Sequence, residues 1–104
     1  MIEFSIYWPI VRDSSKEFHC YTVWEEWEAS LVRLAGGFSL AGESVGYWKD
    51  DSGKLVKDTS KVYRVALESA RESELYELVR RFRPIFDQQC VYVTITSENA
   101  SLIS

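Results

Sequence analysis

An α+β domain of the ferredoxin-like, split βαβ type is the fold class that this sequence predicts. Three observations carry it. Apolar residues alternate with a period of two near the start, past the middle and near the end, over residues 2–8, 62–68 and 90–96. Two stretches between them change to spacings of three and four, each led by a capping-box pair, Thr22 with Glu25 and Ser69 with Glu72. Glycine and aspartate turns cut the remaining central segment into further extended pieces. The resulting order, β-α-β-β-α-β, closes into a four-stranded antiparallel sheet with two helices on one face.

The first strand places Ile2, Phe4, Ile6 and Trp8 on one side and Glu3, Ser5 and Tyr7 on the other, and Pro9 ends it. Residues 11–20 read as a polar loop. In the first helix Trp24, Trp27, Leu31 and Leu34 form the apolar stripe. Glu25, Glu26 and Glu28 lie toward its positive end, and Gly36 and Gly37 stop it. Residues 38–40 and 45–49 are short extended pieces, and Asp50-Asp51-Ser52-Gly53 is a turn. The strand at 62–68 is mostly apolar or amphipathic on both sides, as a central strand should be. The second helix puts Leu75, Leu78, Val79 and Phe82 on its inner stripe, pairs Glu77 with Arg81 at i,i+4, and ends or kinks at Pro84. Which alternate set of strand residues faces the helices is left open by register; Tyr7, Val62, Tyr63, Ala66 and Tyr92 are the candidates for the bare face.

Size and composition set the outer limits. The 104 residues hold one domain, expected over 1–97 with a tail at 98–104 that carries Leu102 and Ile103. The net charge is −4, with nine acidic and four basic residues through Ser52, so no basic nucleic-acid footprint exists. No apolar run is long enough to cross a bilayer, and the N-terminus reads as a strand, so a cytoplasmic location is expected. Cys20 and Cys90 belong to no metal or redox motif, and reduced thiols are expected. Four Trp, six Tyr and five Phe are more rings than one small core absorbs. A homodimer through the open sheet face is the expected home for the surplus.

Candidate chemistry is sparse. His19 is the sole histidine, adjacent to Cys20, and forms no triad by spacing; a loop or helix-leading role is the plainer reading. Asp50, Asp51 and Asp58 miss the calcium-loop pattern, and a hairpin turn accounts for the first two. Gly36-Gly37 follows a helix instead of leading one, unlike a phosphate cradle. Lys61, Tyr63 and Arg64, with Ser60 and the donors of Gln88 and Gln89, would suit recognition of an anion or amide at one end of the sheet. Trp48 and His19 complete the candidate ligand-binding set of His19, Trp48, Lys61, Tyr63, Arg64 and Gln88. No catalytic residue, metal or cofactor is expected.

The segments Gly37-Phe38-Ser39, Gly46-Tyr47-Trp48, Gly53, Asp58-Thr59-Ser60-Lys61-Val62 and Phe86-Asp87-Gln88-Gln89-Cys90-Val91 follow one another in a recognisable order. In this the chain resembles a family of small bacterial proteins of uncharacterised function, the domain-of-unknown-function family numbered 3574. The resemblance supports the fold and transfers no site residue.

Two functions from different classes are therefore expected. The first is a dimeric, non-enzymatic structural or protein-interaction domain. The alternative is a small-molecule-binding protein or enzyme of the dimeric ferredoxin-like kind. RNA binding through Tyr7, Tyr63 and Tyr92 ranks below both, because the acidic balance opposes it.

Overall fold

The alternating residues at the start form β1 (Ile2–Pro9) and those near the end form β4 (Tyr92–Ser97), paired antiparallel with Tyr7 opposite Tyr92. The computed structural model describes residues 1–101 and 103; Leu102 and Ser104, in the expected tail, lie outside the described residues. Between the outer strands run α1 (Tyr21–Ala35), β2 (Ser39–Lys49), β3 (Leu55–Leu67) and α2 (Glu72–Phe82). The strands lie in the order β2-β3-β1-β4, all neighbours antiparallel. This is the ferredoxin-like α+β arrangement, with both helices against one face.

Pairing resolves the register that alternation alone left open. Ile6 sits opposite Tyr63 and Phe4 opposite Val65. Phe4, Ile6 and Trp8 therefore share the inner face with Tyr63, Val65 and Leu67, and all six are buried. Trp27, Leu31, Leu75, Leu78, Val79 and Phe82 close that core from the helices. Tyr63 thus belongs to the core side. Tyr7 and Tyr92 remain on the open face, their rings 5.2 Å apart, on the same side as Val62 and Arg64.

The central segment departs from the expected pattern. The two short pieces are one strand, β2, with a bulge between Leu40 and Glu43, and Gly42 there has φ +81°, a conformation that favours glycine. β3 begins seven residues before the alternation becomes legible. Together they make a hairpin arm on a molecule 48 Å in its longest dimension. Residues 57–61 are polar, so this part of the strand writes no hydrophobic alternation. Asp50 closes its tip: Oδ1 accepts from the Ser52 and Lys54 amides, both at 2.9 Å.

Neither capping box forms. α1 starts two residues early, after Cys20, and Thr22 Oγ1 turns back to Cys20 Sγ at 3.4 Å. A 3₁₀ turn at Ser69–Arg71 shifts the start of α2, so Ser69 precedes the helix by three residues and cannot cap it. Gly36 ends α1 in the left-handed conformation, its N–H donating to Val32 at 2.8 Å. Glu77 pairs with Arg80 instead of Arg81. Both cysteines are free and exposed.

Candidate functional site

Trp24 and Glu28 lie one turn apart on α1, so both side chains project from the same helix face. That face meets Lys61 and Tyr63, two residues apart on β3 and thus on the same side of the strand. Four side chains converge there. Tyr63 donates its hydroxyl hydrogen to Glu28 Oε2 at 2.6 Å, and Lys61 Nζ lies 3.5 Å from the same oxygen. The Lys61 ammonium also stands 4.8 Å above the Trp24 ring and 5.5 Å from the Tyr63 ring. Trp24 and Tyr63 are near-parallel at 6.2 Å, and Phe38 also packs against Tyr63, at 5.4 Å. Tyr63 is fully buried, whereas the Lys61 and Glu28 side chains keep about a third of their surface in solvent. The result is a side-chain cluster, called the niche below, in which the partly exposed Lys61 and Glu28 heads stand over the Trp24 and Tyr63 rings.

The electrostatics are uneven. Burial, followed by the hydrogen bond and the charge of Glu28, pushes the Tyr63 hydroxyl far above the ordinary phenol range. Lys61 has three hydrogens to donate and one long contact to satisfy them. Its ammonium keeps donors open to solvent beside an aromatic face, where a ligand acceptor can take the place of water.

His19 stands behind the wall. Its ring meets Trp24 and Phe86 edge-on, at 5.4 and 5.0 Å. Nε2 lies 2.7 Å from the Pro9 carbonyl, which can only accept, so Nε2 carries the hydrogen and donates it. Nδ1 is buried without a hydrogen-bond partner among the described residues. Burial pushes this imidazole below its ordinary pKa, opposed by the Pro9 bond, so the neutral form prevails near pH 7. Gln88 is likewise turned inward, donating from Nε2 to the carbonyls of Val11 (2.8 Å) and Phe86 (2.9 Å), which fastens the loop before α1 to the turn after α2. Asp87 reinforces that junction through Ser14 and Arg12.

The six candidate ligand residues are thus distributed over several places. Lys61 and Tyr63 come together. His19 touches the same wall from behind. Gln88 lies at the loop junction, Arg64 is exposed on the opposite face of the sheet, and Trp48 is on the hairpin arm. Trp24 and Glu28 are the members that sequence reasoning assigned to other work, the one to the apolar stripe and the other to the helix dipole. Their i,i+4 spacing was the available signal. Among the described residues no group of three or more His, Cys, Asp or Glu gathers as a metal would require, and no helix is long and apolar enough to cross a membrane.

The fold and the niche define a ferredoxin-like α+β protein with a polar cluster between its first helix and its third strand. Residues 21–101 match the family described as uncharacterized protein conserved in bacteria, DUF2252, and the chain belongs to that family. This corrects the resemblance to family 3574, which rested on turn glycines and short segments such as Gly46-Tyr47-Trp48 and Asp58-Thr59-Ser60-Lys61-Val62. Those features follow from backbone demands and recur wherever hairpins and short strands alternate. No curated protein matches the chain in sequence. Among solved structures it is similar to the divalent cation tolerance protein CutA1 of Thermus thermophilus, with 17% identity and TM-score 0.63, over 95% of this chain and 86% of that one. A point mutant of CutA1 from Pyrococcus horikoshii gives 16% identity and TM-score 0.65, over 97% and 87%. A phage SAM lyase in complex with S-methyl-5′-thioadenosine gives 15% identity and TM-score 0.60, over 95% and 92%. Likeness at this identity concerns the fold.

Proposed function

We propose that this chain is a small-molecule-binding protein of the ferredoxin-like class, with its ligand seated in the Trp24–Glu28–Lys61–Tyr63 niche. The carrying observation is the Lys61 ammonium, partly open to solvent, held over the Trp24 ring. The ligand class that complements it is a small planar molecule bearing a carboxylate or carbonyl acceptor: the ring stacks on Trp24 and the acceptor takes the spare Lys61 hydrogens. Glu28 and Tyr63 hold the lysine in place and reject a second anion at their own position. The fold's likeness to a lyase in complex with S-methyl-5′-thioadenosine supports a small-molecule role over a purely structural one. A saturation-transfer NMR screen of planar carboxylates, benzoate and nicotinate among them, tests this. Signals with the native chain that vanish in Lys61→Met support it. Signals of equal strength in both, or in neither, would sink it.

A second copy of the chain completes the proposal. The arm exposes Val45, Tyr47, Trp48 and Leu55, each at about half of its surface or more, and Tyr92 lies bare on the open sheet face. A homodimer through that face, with the arms at its margin, removes Tyr92 and Trp48 from water, while Val45, Tyr47 and Leu55 lie on the helix side of the arm. Light scattering at micromolar concentration is expected to give twice the chain mass of 12.1 kDa; a species of one chain mass contradicts the pairing and leaves the niche reading standing.

A further inference from the structure

A shallow depression, of about 260 Å³, lies between the two helices. Its lining is dominated by cationic side chains. Arg33 from α1 and Arg71 and Arg81 from the α2 region face it, with Ser30, Glu74 and Leu78. Three guanidinium groups against one carboxylate leave a local charge of +2 on a chain whose net charge is −4.

The pairing around this groove is incomplete. Arg71 is engaged by Glu74, Nε to Oε2 at 2.9 Å and Nη2 to Oε1 at 3.4 Å. Arg33 has no carboxylate among the described ion pairs; its Nη2 donates to the Ser30 hydroxyl at 3.0 Å. Arg81 is spaced to take Glu77, but Glu77 is bound by Arg80 at 2.8 Å instead. Two guanidinium forks therefore reach one groove without an anionic partner among the described ion pairs. Each lies in the last turn of its helix, so helix-end charge accounts for their presence but not for their convergence.

We infer that this groove is a binding site for a phosphate-bearing small molecule, separate from the niche at Lys61. A guanidinium presents parallel N–H donors that match phosphate oxygens two at a time, which ammonium cannot do. Arg33 and Arg81 are the primary contacts, and Ser30 positions Arg33. Glu74 holds Arg71 at the rim and turns away ligands without enough charge to compete.

The test is a titration of the native chain with inorganic pyrophosphate, followed by the Nε–Hε NMR signals of its arginines at constant ionic strength. Arg33 and Arg81 are expected to shift saturably at up to millimolar pyrophosphate. Arg33→Ala and Arg81→Ala should each weaken binding by about tenfold, and Arg33→Lys should recover only part, because charge returns without the fork. Lys61→Met should leave the titration unchanged, so failure of this site and failure of the niche are distinguishable. Shifts that never saturate, or an affinity indifferent to both arginine variants, would overturn the assignment. Arg33 and Arg81 are exposed, so loss of fold is not expected; thermal unfolding of each variant checks it.

Discussion

Trp8→Ala is expected to destabilise the domain by about 3–5 kcal/mol, the range for removing a large ring from a packed interior. Trp8 is fully buried and is the hub of the aromatic core. Its ring stacks on Phe86 at 4.1 Å and meets Trp27 edge-on at 5.2 Å. It ties the sheet to α1 through Trp27 and to the turn after α2 through Phe86. Domains of this size keep about 5–15 kcal/mol in total, so the loss removes a large fraction of the whole. Trp8→Phe should be far milder, because a flat ring remains and the buried Nε1–H, which has no acceptor, is removed with the indole. Urea unfolding of the three chains checks the order. Tyr92→Ala, on the open face, should cost about 1 kcal/mol or less through its contact with Tyr7. A Trp8→Ala loss no larger than that of Tyr92→Ala would mean that the core is not where it is drawn.

Alkaline pH should weaken the fold through Tyr63. The folded chain holds this hydroxyl protonated well above its ordinary pKa of 10.0, by burial first and Glu28 second. In the unfolded chain the hydroxyl ionises normally. The group's contribution is therefore fully present below about pH 10 and is lost as pH rises toward the elevated folded value, by about 1.4 kcal/mol per pH unit. Tyr63→Phe should flatten that slope by the same amount. At neutral pH it should cost the hydroxyl-to-carboxylate bond, toward the lower end of about 1.5–3 kcal/mol because Glu28 is open to water. Denaturant unfolding near neutral pH and again above the ordinary phenol pKa measures both. An unchanged alkaline slope in the variant would show that the Tyr63–Glu28 contact is absent in solution.

Much of the fold was legible because its strands near the ends and its helices carry one wet and one dry side. Residues 2–8 wrote their inner face plainly, and Phe4, Ile6 and Trp8 are in the core. The cap of α2 differs for a local reason: a 3₁₀ turn at Ser69–Arg71 changes the position at which Ser69 meets the helix, and spacing along the chain cannot reveal it. The arm was missed over 55–61 because Lys61 meets α1 through a charged head, at Glu28 and the Trp24 ring, and Lys57 to Ser60 are polar, so no apolar alternation marks it. The niche was half legible. Lys61 and Tyr63 stood out as polar groups on a strand, but Glu28 reads as one of several helix acids until the strand register places Lys61 beside it. Arg64 differs from Tyr63 by one position and so lies on the opposite side of the sheet, a consequence of the period-two geometry. Gln88 is spent on the backbone carbonyls of Val11 and Phe86, contacts between segments 77 and two residues away that no local pattern announces.

The central claim, a ligand niche on Trp24 and Lys61, is tested most directly by the indole N–H signals of the four tryptophans during titration with nicotinate. The Trp24 signal should move saturably while Trp48, on the arm, stays still, and the movement should disappear in Lys61→Met. A Trp24 signal that stays fixed while Trp48 moves, or one that moves equally without Lys61, would contradict it.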